Sequence, residues 1–95
     1  MATLRYARSA IRDLERLAGF LHDSDPKAAQ EAIPLIVEGL RLLTRHPLIG
    51  RPLERGRREL VIFRGRSGYL ARYKFLPDED LVLVLGIRHQ RELDG

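Results

Sequence analysis

From Gly68 to Leu76 side-chain character switches at every residue. Tyr69, Ala71, Tyr73 and Phe75 fall on one parity, and Leu70, Arg72, Lys74 and Leu76 on the other. Only an extended strand turns that pattern into two distinct faces, one for packing and one carrying cations. Its neighbours read the same way. Arg58 to Phe63 is a preceding strand, joined through the glycine-bearing hairpin turn Arg64 to Gly68. Pro77-Asp-Glu-Asp80 makes the next turn, and Leu81 to Ile87 is apolar on both parities, as a strand central in its sheet should be. The last third of the chain therefore predicts three consecutive strands of a small antiparallel sheet.

The first half has a different period. Thr3 to Tyr6 is a short extended segment. Ile11, Leu14, Leu17, Ala18 and Leu21 then form one apolar stripe at helical spacing, with Ser9 available as a cap. His22 to Pro26 interrupts that helix, with Asp25 as the N-cap and Pro26 as the first residue of the next one. The second helix is expected from about Pro26 to Thr44, with Ala29, Ile33, Ile36, Val37, Leu40 and Leu43 facing inward. Pro34 lacks an N–H but leaves the apolar period in phase, so it predicts a kink and not a break. Ala28, Leu35 and Leu42 add a weaker stripe, either the other helix's contact surface or a surface for a partner. Pro47 to Arg57 is a loop rich in Gly, Pro and Arg. The order β-α-α-β-β-β predicts an α+β fold, a helical hairpin packed on one face of a small antiparallel sheet. Residues 1–95 are expected to form a single domain, since a chain this long sustains one core.

Composition narrows the function. The chain has no cysteine, so disulfides and thiolate metal sites are excluded, which fits a reducing cytoplasm. His22, His46 and His89 are far apart and lack ligand spacing, so no metal or cofactor is expected. No apolar run approaches the length of a membrane helix, and the first residues carry no export-type apolar core. Charge is unevenly placed: residues 41–74 hold ten basic and two acidic side chains, and fifteen of the seventeen cations are Arg. Arginine forks onto phosphate and carboxylate, so an anionic partner is implied, either nucleic acid or an acidic protein segment.

The sheet face turned away from the helices is where that partner would sit. With the tyrosine parity packed on the helices, Leu70, Arg72, Lys74 and Leu76 face outward. On the last strand the bulkier parity, Leu81, Leu83, Leu85, Ile87 and His89, is assigned to the helices. That places Val82, Val84, Gly86 and Arg88 beside Arg72 and Lys74. The expected result is a shallow groove, apolar at its floor and cationic at one end, suited to an RNA backbone or an amphipathic peptide with acidic flanks. His89 has the side chain for acid–base work near neutral pH, with packing at the strand end as the competing role.

Four runs of residues, in order, carry a family resemblance. Leu43-Thr44-Arg45-His46-Pro47-Leu48-Ile49-Gly50-Arg51-Pro52 is similar to the "L…HP…G(R)P" stretch of the RelE/ParE toxin superfamily. Arg58-Glu59-Leu60-Val61, Gly68-Tyr69-Leu70-Ala71-Arg72-Tyr73 and Val84-Leu85-Gly86-Ile87-Arg88-His89-Gln90-Arg91-Glu92 resemble its "REL", "Y…RY" and "L…(R)H…R(E/D)" signatures. The resemblance spans the whole chain and carries the same fold.

It implies the toxin of a type II toxin–antitoxin module, cytoplasmic and neutralised by a cognate ParD- or RelB-like antitoxin. Pairing of toxin copies or a higher toxin–antitoxin assembly is left open. Two branches compete. A ParE-like toxin would poison DNA gyrase, with Leu70, Arg72, Lys74, Val82, Val84, Arg88 and Arg91 binding the target or the antitoxin. A RelE-like toxin would cleave mRNA on the ribosome, with Arg72, Lys74 and Arg88 stabilising phosphate and His89 moving a proton. The chain has no tyrosine after Tyr73 and no lysine between Pro47 and Arg57, and it ends its last motif in His89-Gln90-Arg91. All three features resemble the ParE-like branch more closely.

Overall fold

The computed structural model describes residues 1–64 and 67–90, with residues 63, 64 and 67 described by their backbone alone. Among these, β1 (Thr3–Tyr6), α1 (Arg8–Ser24), α2 (Pro26–Arg41), β2 (Arg51–Pro52), β3 (Arg57–Arg64), β4 (Ser67–Leu76) and β5 (Leu81–His89) follow in order. One sheet runs β1-β5-β4-β3-β2, with the helical hairpin on one of its faces. The expected β-α-α-β-β-β fold is present with two refinements. β1 lies parallel to β5, so the sheet is mixed, and the two-residue β2 adds an antiparallel edge to β3.

Local signals explain the helices. Asp25 caps α2 by accepting a hydrogen bond from the Ala28 N–H at 3.2 Å, and Pro26 follows at the first helical position. A cap of this kind contributes about 1 kcal/mol. Pro34 stands on the exposed side of α2, where water can bond the Gln30 carbonyl, and the helix continues through it. Residues Leu42–Thr44 tighten into a single 3₁₀ turn. α1 begins after Ala7 with no side-chain cap, and Ser9 is used elsewhere. Its buried line is Ala10, Leu17 and Leu21, and Ile11 is turned toward solvent. The core lies between these lines, Ala32, Ile36 and Leu40 of α2, and the inner side of the sheet.

On β4 the expected faces hold: Tyr69, Ala71 and Tyr73 are buried and Arg72 is exposed. On β5 they hold only at one end. Arg72 pairs with Gly86 but Tyr73 pairs with Val84, so Leu85 is an extra residue, a β-bulge that inverts parity along the strand. Before the bulge Val82 and Val84 point inward and are fully buried; after it Ile87 and His89 do. The assignment of Val82 and Val84 to the outer groove is therefore corrected. Leu81 and Leu83 take that face, opposite Leu76 and Lys74.

β1 ends at Tyr6, which leaves the β5 edge without a strand from Leu85 onward. Side chains of α1 replace it. The Ser9 hydroxyl donates to the Leu85 carbonyl, Asp13 Oδ2 accepts the Ile87 N–H at 2.9 Å, and Arg16 donates to the Ile87 carbonyl at 3.2 Å. An amide left unpaired at that edge would carry a cost, and the helix removes it.

Candidate functional site

On the outer face, cross-strand partners bring the basic residues together. Arg57 stands opposite Lys74, Glu59 opposite Arg72, and Leu70 opposite Arg88. Arg5 of β1, beside Leu83, adds a further exposed cation. Glu59 is the anion among them, with its side chain 10% exposed, 2.9 Å from Arg51 and 3.6 Å from Arg72. Its pairing holds two guanidinium groups in place along one line of the sheet.

A cleft of about 310 Å³ opens here, lined by Ser9, Asp13, Arg57, Glu59, Leu70, Arg72, Leu85, Gly86, Ile87 and Arg88. Gly86 makes room for it. A Cβ at that position would lie 3.0 Å from Asp13 Oδ2. Of the residues expected at the site, Leu70, Arg72 and Arg88 meet in the cleft, and Lys74 lies on the same face beside Arg57. Val82 and Val84 are in the core, and Arg91 lies outside the described residues.

His89 is separated from this group. It is 1% exposed on the helix side of the sheet, with the ring of Tyr69 edge-on at 5.1 Å and that of Phe20 at 5.9 Å. The same parity that turns Arg88 outward turns His89 inward, so these two residues, adjacent in the chain, face opposite sides of the sheet. Its placement there is that of a packing residue. Ser9, Asp13, Arg57 and Glu59 were not anticipated. Arg57 and Glu59 were legible as one parity of β3, whereas Ser9 and Asp13 reach the cleft only through helix placement. Gly86 was the available sign of the bulge, because an isolated glycine inside a strand pattern often marks one.

The motif around His46-Pro47 is held by a clamp. The Tyr73 hydroxyl donates to the Pro47 carbonyl at 2.8 Å and accepts the Gly50 N–H at 2.9 Å. Arg58 Nη1 donates to the Leu48 and Gly50 carbonyls at 3.0 and 2.8 Å. Burial pushes the Tyr73 hydroxyl pKa above its ordinary value of 10.0, against smaller downward pulls from the Gly50 hydrogen bond and the Arg58 charge. Burial also raises Tyr6, against the Arg41 charge. The folded state thus holds both protons more tightly than the unfolded chain. The stability linked to them is complete below about pH 10 and is lost as pH rises through the folded values. Thermal unfolding should show a melting temperature that falls above pH 10, and Tyr73→Phe should flatten part of that slope. An identical slope in the variant would remove Tyr73 as its source.

The family model described as the ParE toxin of the type II toxin–antitoxin system parDE matches residues 4–94 of this chain. The chain belongs to the ParE toxin family. Toxin RelE3 of Caulobacter vibrioides is 35% identical to it over 92 residues, covering 97% of this chain and 98% of that protein. Toxin RelE1 of the same organism is 40% identical over 67 residues, or 70% and 72% of the two chains. Among solved structures, a chain of the chromosomal ParDE system from P. aeruginosa superposes with a TM-score of 0.76 at 26% identity, covering 92% of this chain and 94% of that one. A chain of the RelBE2 toxin–antitoxin complex from Mycobacterium tuberculosis gives 0.60 at 26% identity, covering 94% and 98%. This ParE-family chain is thus a type II toxin of the ParE/RelE superfamily, two helices on a five-stranded mixed sheet. No helix among its described residues is long and apolar enough to cross a membrane.

Proposed function

We propose that this ParE-family toxin poisons DNA gyrase in the cytoplasm and that a cognate ParD- or RelB-like antitoxin keeps it inactive. The observation that carries this reading is the chemistry of the outer face. The chain's three histidines and three tyrosines all lie elsewhere: His22 and His46 on the helix end and a loop, Tyr6, Tyr69, Tyr73 and His89 on the helix side of the sheet. The carboxylates in the cleft are engaged, Glu59 by two arginines and Asp13 by the Ile87 amide. Attack of a 2′-hydroxyl on phosphate needs a positioned base and acid. Docking on a protein needs only complementary charge and apolar area, and Arg72, Lys74 and Arg88 among leucines supply both.

Purified toxin added to a gyrase supercoiling reaction should abolish supercoiling at stoichiometric levels and trap double-strand cleavage. Arg72→Ala combined with Arg88→Ala should weaken that inhibition by about tenfold, with little change in stability because both side chains are exposed. A double variant as potent as the parent would remove the outer face as the docking surface. Co-expression of an adjacent reading frame with an acidic tail should restore growth.

The alternative is ribosome-dependent mRNA cleavage, supported by the RelE names of the Caulobacter relatives and by three arginines converging on one cleft. A toxin that arrests growth yet leaves gyrase untouched would favour it. In either case His89→Ala is a poor discriminator, since removing a buried ring disturbs the core as well as any chemistry.

A further inference from the structure

The clamp on residues 47–50 holds a loop whose tip stands in water. Pro47 and Gly50 turn inward, Gly50 being buried with no room for a side chain, while Leu48 and Ile49 are 58% and 54% exposed. A turn bond from the Ile49 N–H to the His46 carbonyl, 3.2 Å, adds to the four bonds made by Tyr73 and Arg58. If the clamp served the core alone, the two large aliphatic side chains would be expected to fold in with it. Instead the backbone is fixed to the core and two adjacent apolar side chains project from it. An apolar pair on a fixed backbone loses little freedom when it binds, which is the property of an interface anchor.

We infer that Leu48 and Ile49 form the apolar anchor by which the toxin seats on its protein target. The inference rests on the proposed reading that the outer face docks such a target. Two observations identify the kind of surface it fits. Exposed Arg45 and Arg51 flank the tip, so the receiving pocket is apolar and bordered by carboxylates. The tip is also continuous with the outer face: Arg51 follows Gly50 directly and pairs with Glu59, whose other oxygen faces Arg72 in the cleft. A partner that covers the cleft arginines together with Arg51 borders the tip through the chain itself, so the occupant is the target that the cleft docks.

The test is the double variant Leu48→Ser/Ile49→Ser, whose side chains are exposed and carry little of the fold. Three quantities are compared with the parent: melting temperature, gyrase inhibition, and affinity for the antitoxin purified from the adjacent reading frame. The expected result is an unchanged melting temperature, inhibition weakened by about tenfold or more, and antitoxin affinity within about twofold. Full inhibition by the variant overturns the anchor and leaves the gyrase reading standing. Lost antitoxin affinity with inhibition retained overturns it too, by assigning the loop to the antitoxin. A parent protein that leaves gyrase untouched overturns both the anchor and the reading beneath it.

Discussion

Gly50→Ala should destabilise this toxin by about 3–5 kcal/mol, although it adds one methyl group. The new Cβ would lie 2.6 Å from the Tyr73 hydroxyl, 2.7 Å from its ring and 3.0 Å from the Glu59 carbonyl. Tyr73 is fully buried and β3 is paired on both sides at Glu59, so neither neighbour has space to retreat. Overpacking a rigid site costs about 1–3 kcal/mol. Moving the ring aside also breaks the hydrogen bonds at Pro47 and Gly50, at about 1 kcal/mol each. For a domain of this size the sum should lower the melting temperature by at least 12 °C or so. Thermal unfolding followed by circular dichroism measures it. Tyr73→Phe in the alanine background should recover only part of the loss, because the ring carbon still opposes the methyl. A melting temperature within a few degrees of the parent would mean that the loop yields, which would also weaken the case for a rigid anchor at Leu48 and Ile49.

Asp13→Ala should cost about 2–4 kcal/mol through the sheet edge. Its carboxylate accepts the Ile87 N–H and pairs with Arg16 at 3.5 Å, at the point where β1 no longer covers β5. Alanine leaves that amide without its charged acceptor, at about 1.5–3 kcal/mol, and removes the ion pair as well. Asp13→Asn keeps one acceptor oxygen and should retain roughly half of the contribution. Chemical denaturation gives the totals, and hydrogen exchange at the Ile87 amide isolates the cause. Unaltered Ile87 protection in the alanine variant would show that another group satisfies the edge. The same substitution removes one wall of the cleft beside Gly86, so it should also change the shape of the docking surface.

These expectations come from contacts that differ in how far they could be read in advance. The clamp residues sit in the motifs at His46-Pro47, Arg58 and Tyr73, yet their spacing says nothing of a tyrosine hydroxyl bridging Pro47 and Gly50. The family signature was visible and its physical work was not. Leu70 and Arg72 were placed on the outer face correctly because the alternation on β4 is regular, and Arg88 because it lies beyond the bulge of β5, where the assumed parity still holds. Ile11 was expected inward by its helical spacing and is exposed, since Ala10 lies closer to the middle of the buried line.

The sequence by itself determined the elements whose signals are local. The alternation on β4, the Asp25-Pro26 helix start and the apolar period of α2 depend on neighbours a few residues away, and each element formed close to its predicted place. α2 nevertheless ends at Arg41 where Thr44 was expected, and it buries Ala32, Ile36 and Leu40 while Ile33 and Val37 stay half-buried. Register and edges were decided only by the tertiary structure. Leu81 to Ile87 is apolar on both parities, so hydrophobicity cannot tell its two faces apart. It was pairing with β4 that bulged at Leu85, buried Val82 and Val84, and turned His89 away from the arginines. Likewise Ser9 and Asp13 became part of the cleft because α1 lies along an edge that β1 is too short to cover. A strand's faces follow from its own residues only while the ladder stays regular, and one extra residue is enough to exchange them.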